Sequence, residues 1–240
     1  MEKDIKAVLS WFESEPSLWV SIVTGEGRAF CAGADLKAWN DDQKQGTIAE
    51  QERVLTSLHG FGAISRRRGS IKPMIAAVNG GAYGGGVEMI LNCDLVVASD
   101  KAQFALSEVK RGVVAIQGVI PRLAKIAGHQ LASELLLLGN TVSANEALTK
   151  FRFVNMVVPH SELLPAVINL AQQICQNSPD SVQSTKKGLL LSQSHSYEET
   201  VQSHALSLES KRVYNGSNIK EGLKAFVEKR APVWGNPAKL

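Results

Sequence analysis

Three consecutive glycines, Gly84-Gly85-Gly86, stand just before Val87 and Glu88. Such a run loses much backbone entropy on folding and is useful where the main chain must come close to something. At the start of a helix it aims unpaired N–H groups at a negative oxygen. Glu88 falls in the first turn of that helix, and Glu108 follows 20 residues later, after a small apolar strand. Either carboxylate alone reads equally well as a surface charge. Together, beside an N–H pocket, two carboxylates suit paired general acid and base work.

The elements that must position these groups follow from periodicity. Ile5, Val8, Leu9 and Phe12 share one helical face, and Pro16 ends that helix. Trp19 to Thr24 is a β-rich run stopped by Gly25-Glu26-Gly27. Trp39 to about Gly46 is polar and is expected to be mobile, and Glu50 to Arg66 is expected to form one helix. Pro73 to Val78 and Asp94 to Ala98 are short apolar runs, the mark of buried strands. Helices are predicted over Leu123–Ala127, Gln130–Leu138, Ala144–Lys150, with Ser143 as a capping start, and Leu163–Asn177. After the break at Asn177-Ser178-Pro179, helices resume to about Arg230.

Several function classes lose support. The chain has 240 residues, 20% charged, with a net charge of +3, too small an excess for a nucleic-acid binder. Gly25-Glu26-Gly27-Arg28-Ala29-Phe30 starts like a dinucleotide fingerprint but ends in Phe30, and no P-loop or GxSxG motif occurs. Five scattered histidines and three isolated cysteines make no metal or disulfide spacing. Arg66-Arg67-Arg68 reads as a solvated helix cap, with a phosphate contact as the minority reading. The charged, amphipathic N-terminus is not a signal sequence and no apolar run reaches membrane-spanning length, so a soluble, reduced, intracellular protein is expected.

At this point a resemblance can be stated. Cys31-Ala32-Gly33-Ala34-Asp35-Leu36-Lys37, Ile75 to Gly80 with Gly84 to Glu88, Cys93-Asp94, Phe104 to Gly112 and the C-terminal Glu221 to Arg230 together resemble the enoyl-CoA hydratase/isomerase (crotonase) family. The resemblance implies an α/β fold, a spiral of ββα units followed by a helical trimerisation region. The expected division is a spiral core over 1–175, lacking the N-terminal strand most members carry, and a helical region over 176–240. It implies an acyl-CoA thioester substrate, no metal or redox cofactor, and a homotrimer or hexamer. Ala34 and Gly85 match the oxyanion-hole positions, and Glu88 and Glu108 the two catalytic carboxylates. Arg28, Ala32, Lys37, Phe226 and Lys229 match positions that reach CoA. Leu106, Ser107 and Ala115 to Gly118 depart from the common pattern, in a region expected to shape the acyl pocket.

The activity so implied is hydration of an enoyl-CoA to a 3-hydroxyacyl-CoA, in fatty-acid oxidation or a specialised acyl-CoA biosynthesis. A double-bond isomerase and a weakly active acyl-CoA-binding member are the alternatives. The final Ala238-Lys239-Leu240 resembles a peroxisomal address and implies an import receptor as partner. Gly235 and Pro237 just before it are expected to leave the tail exposed.

Overall fold

The computed structural model describes residues 1–44 and 50–238. They group into two compact units, one of Met1–Val8, Ile22–Arg67 and Met74–Val167, the other of Leu9–Ser21, Arg68–Pro73 and Ile168–Leu240.

The first unit opens with the N-terminal part of α1 (Glu2–Ser14) and is built on β1 (Ser21–Thr24), β2 (Ala29–Cys31), α2 (Leu36–Lys44), α3 (Glu50–Thr56), β3 (Met74–Val78), β4 (Gly81–Tyr83), α4 (Gly85–Asn92), β5 (Leu95–Ser99), β6 (Gln103–Ala105), α5 (Val119–Ala127), α6 (His129–Leu138), β7 (Thr141–Ser143), α7 (Ala144–Thr149) and β8 (Met156–Val158). One sheet runs β1-β3-β5-β8, and the other runs β2-β4-β6-β7. β3 pairs in parallel with β5, Ile75 opposite Leu95 and Val78 opposite Ala98. All five residues of β3 are buried, as a parallel strand covered on both faces requires. In the second sheet β4 pairs in parallel with β2 and β6, while β7 returns antiparallel.

Several expectations change. Leu36–Lys44 is helical: the Asp35 carboxylate accepts from the Lys37 and Ala38 amides at 3.0 and 3.2 Å and starts the helix. Gly46 lies outside the described residues. The helix expected from Glu50 to Arg66 stops at Thr56; Gly60 and Gly62 then turn the chain with φ of +68° and +62° into a short 3-10 turn, Phe61–Ala63. The arginine run is not simply solvated. Arg66 donates to the Val54 and Ser57 carbonyls, and Arg67 is buried. The capping start at Ser143 is present as a reciprocal box with Glu146.

The second unit takes the C-terminal part of α1 and of α8 (Leu163–Cys175), with α9 (Pro179–Ser192), α10 (Tyr197–Ala205), α11 (Leu208–Asn215) and α12 (Ser217–Glu228). Its Lys72 is buried, and the ammonium donates to the Phe12 and Glu15 carbonyls, both at 2.6 Å, closing the C-terminal end of α1. The stretch from Trp234 to Ala238, expected to be exposed, is held by hydrogen bonds. Trp234 Nε1 donates to the Gln176 carbonyl at 2.8 Å, the Gly235 amide to Asn218 Oδ1 at 2.9 Å and the Ala238 amide to Asp180 Oδ1 at 2.9 Å. Lys239 and Leu240 lie outside the described residues. Among the described residues no helix is long and apolar enough to cross a membrane.

Candidate active site

The first unit holds a cavity of about 300 Å³. Ala34, Gly85, Glu88 and Glu108 all line it, so the two carboxylates and the two expected amide donors face one space.

Glycine torsions set both donors. Gly84 has φ +53° and ψ −118°, a combination that only glycine holds without strain, and it directs the next peptide N–H, that of Gly85. As the first residue of α4, Gly85 precedes the intrahelical hydrogen-bond ladder. Gly33, with φ +89°, stands in the same relation to Ala34, and a Cβ on it would lie 2.9 Å from the Tyr83 carbonyl oxygen. Close approach and positive φ therefore coincide at the glycine that precedes each expected donor.

The carboxylates are held differently. α4 is almost wholly buried and apolar, and Glu88 is its one acidic residue, itself only 3% exposed. Its Oε1 accepts from the Gln117 amide at 2.7 Å and the Val119 amide at 3.4 Å, which fixes the carboxylate's orientation. Glu108 opens a 3-10 turn, Glu108–Arg111, after β6. Its Oε1 sits over Gly84, 2.8 Å from where a Cβ would stand. Its Oε2 is buried and has no hydrogen-bond partner among the described residues. Burial pushes the Glu108 carboxyl above the usual glutamate value of 4.5 and outweighs the opposing effect of its own backbone amide.

Of the residues matched to CoA contacts, Ala32 lines the cavity. Arg28 and Lys37 are exposed and line neither this cavity nor a second, open one of about 1020 Å³ that shares Ala34, Trp39, Phe61 and Gln117 with it. Phe226, 83% exposed, and Lys229, which closes α12 with φ +54°, belong to the second unit. Leu106 is buried in the core and does not line the cavity, whereas Ser107, Ala115, Ile116 and Gln117 do.

The sequence profile of the enoyl-CoA hydratase/isomerase family matches residues 1–237. The chain belongs to the enoyl-CoA hydratase/isomerase family. It is 44% identical over 237 residues to a mevalonyl-coenzyme A hydratase of Aspergillus fumigatus, covering 99% of this chain and 85% of the relative. It is also 44% identical to one of Beauveria bassiana, covering 98% and 84%. Among solved structures it resembles an enoyl-CoA hydratase from Mycobacterium tuberculosis with a TM-score of 0.85 and 33% identity, covering 98% of this chain and 87% of that one. The fold is thus the α/β crotonase fold, with one parallel-paired and one mixed sheet and a helical C-terminal region.

The remaining wall of this cavity comes from other residues. Trp39, Phe61, Tyr83, Arg111, Val113 and Val114 line it, and sequence reading singled out none of them for the site. Phe61 packs its ring onto Gly85: a Cβ there would lie 2.5 Å from the ring. Only the Gly60 and Gly62 turn hinted that Phe61 leaves a helix. Lys3, Lys6 and His59 line the second cavity, where burial, then Arg67 and Lys6, hold the His59 imidazole below its ordinary value.

Proposed function

We propose that this enzyme interconverts an enoyl-CoA and its 3-hydroxyacyl-CoA, with a short, 3-methyl-branched, terminally hydroxylated acyl group of the mevalonyl type as its substrate. The observation that carries the chemistry is the meeting of Glu88, Glu108, Ala34 and Gly85 on one cavity. The 44% identity to mevalonyl-coenzyme A hydratases supports the acyl class.

In this reading the thioester oxygen accepts from the Ala34 and Gly85 amides. Glu88 takes a proton from a water whose oxygen bonds to C3. The C2=C3 electrons move toward C2 and the thioester, and the enolate charge rests on the two N–H donors, each worth about 3 kcal/mol in such sites. Glu108 then delivers a proton to C2. The raised Glu108 carboxyl suits the acid and the amide-held Glu88 suits the base. Reversal of the same steps removes water from the 3-hydroxy form. Two carboxylates on one cavity favour hydration over isomerisation, which can run on one.

The test is loss of enoyl-thioester absorbance with 5-hydroxy-3-methylpent-2-enoyl-CoA and with crotonyl-CoA. Faster turnover of the former is expected. Tight CoA binding with no turnover of either would overturn the reading in favour of a binding protein.

A peroxisomal site of action is part of the proposal, on the strength of Ala238-Lys239-Leu240. An N-terminally tagged fusion should be punctate and become diffuse on deletion of Leu240. A fusion that is diffuse from the start would remove this part.

A further inference from the structure

The hydration chemistry leaves one charged group of the cavity unused. Among the described residues Arg111 is the cavity's single cationic lining residue, beside Glu88 and Glu108. It stands three residues after Glu108 in the same 3-10 turn, and side chains at that spacing eclipse one another, so both face the same way. Its neighbours in the turn are turned elsewhere: Lys110 Nζ donates to Asn140 Oδ1 at 3.2 Å, and Val109 is 44% exposed. Among the described residues no hydrogen bond or ion pair engages the Arg111 guanidinium, and burial rather than a neighbouring charge dominates the shift at Glu108. Glu134, Glu146 and Glu162, acids of the surrounding elements, do not line the cavity.

Position along the substrate follows from which wall Arg111 belongs to. The Ala32 to Leu36 wall carries the Ala34 amide and therefore the thioester. The Ser107 to Gln117 wall carries Glu108, Arg111 and the apolar Val113, Val114 and Ile116. Arg111 is one 3-10 turn along from the carboxylate that meets C2, on the segment that also brings Val113, Val114 and Ile116 to the cavity. Beside Ser107 and Gln117, which are neutral, the rest of that wall is apolar, so the guanidinium is its cationic donor toward an oxygen.

We propose that Arg111 is a specificity-determining residue that donates from its guanidinium to a hydroxyl oxygen at the far end of the acyl group. This rests on the hydratase reading above and deepens it. A charge-assisted donor distinguishes a hydroxylated acyl chain from its deoxy counterpart, whereas an apolar wall discriminates weakly against an added hydroxyl.

Two measurements test it. The first is the ratio of kcat/KM for 5-hydroxy-3-methylpent-2-enoyl-CoA over 3-methylpent-2-enoyl-CoA. The second is the ratio of Kd for the saturated deoxy thioester over Kd for its 5-hydroxy counterpart, neither of which can turn over. Arg111→Met keeps an unbranched stem and removes the donor; it should lower both ratios at least about tenfold, the scale of a hydrogen bond to a charged group. Arg111→Lys should restore part of the preference. Because Arg111 is exposed and unpaired, thermal melts of both variants should match the wild type. Unchanged ratios in Arg111→Met would overturn the proposal. So would an equal loss of affinity for both thioesters and for free CoA, which would make Arg111 a contact to the CoA moiety. If the wild type turns over neither enoyl-CoA, the hydratase reading fails, and the saturated-thioester ratio still decides whether Arg111 reads the hydroxyl.

Discussion

Replacing Gly84 by alanine separates the torsional and chemical roles of the glycine run. At φ +53° and ψ −118° the new residue is strained by about 1–3 kcal/mol. The added Cβ would lie 2.8 Å from Glu108 Oε1, inside contact distance. That oxygen ends a flexible side chain and can swing aside cheaply, so strain dominates the stability loss. For a chain of 240 residues, about 2 kcal/mol corresponds to a fall in Tm of about 4–8 °C. The catalytic loss is larger, because the displaced group is the proposed acid and the altered ψ redirects the Gly85 N–H. A drop in kcat of at least about 100-fold is expected. Gly27→Ala is the control: its φ is +74°, and nothing lies within 4 Å of the added Cβ. It should lose stability of similar order through the same backbone penalty while its hydration rate stays close to wild type. Circular dichroism melts and enoyl-CoA hydration kinetics on both variants give the answer. If Gly84→Ala turns over as fast as Gly27→Ala, the coupling of this torsion to the carboxylate is refuted.

Glu88→Gln and Glu108→Gln should each lower kcat by at least about 100-fold, with saturated-thioester Kd changed little; near wild-type turnover in either would remove that residue from the mechanism. Glu108 also predicts a pH dependence of stability. Its folded-state carboxyl lies above the unfolded value of 4.5, so between the two the native state binds more protons and stability falls as pH rises. The Tm advantage of Glu108→Gln over wild type should therefore grow as pH rises above 4.5, level off above the folded-state value and vanish in acid; an advantage that grows in acid would contradict the burial argument. The second unit exposes Leu189 by 62%, Leu206 by 75% and Leu208 by 48%, and a trimer or a dimer of trimers should be the species seen by light scattering. A stable monomer at micromolar concentration would contradict it.

What the sequence made legible was what local chemistry determines. The apolar runs at β3 and β5, the glycines opening α4 and the Ser143–Glu146 box all depend on residues close in the chain. β4, β7 and β8 have three residues each, too few for periodicity to register, and exist because neighbouring strands pair with them. The long helix expected from Glu50 failed because apolar spacing continues through Gly60 and Gly62 while the backbone does not. In the site, Glu88 and Glu108 were readable from type and spacing beside the glycines. Phe61, Tyr83 and Arg111 were not, because only tertiary folding brings them to the same cavity.

The two proposed oxyanion donors are backbone amides aimed by the torsions of Gly33 and Gly84. Neither depends on a rotamer, and neither ionises anywhere in the range where the protein is folded. The electrophilic half of the site is therefore deaf to pH. Titration in the activity profile then comes from side chains facing it, Glu108 first among them. An inhibitor that mimics the enolate oxygen should keep its grip on the two amides across that profile, even where catalysis has died.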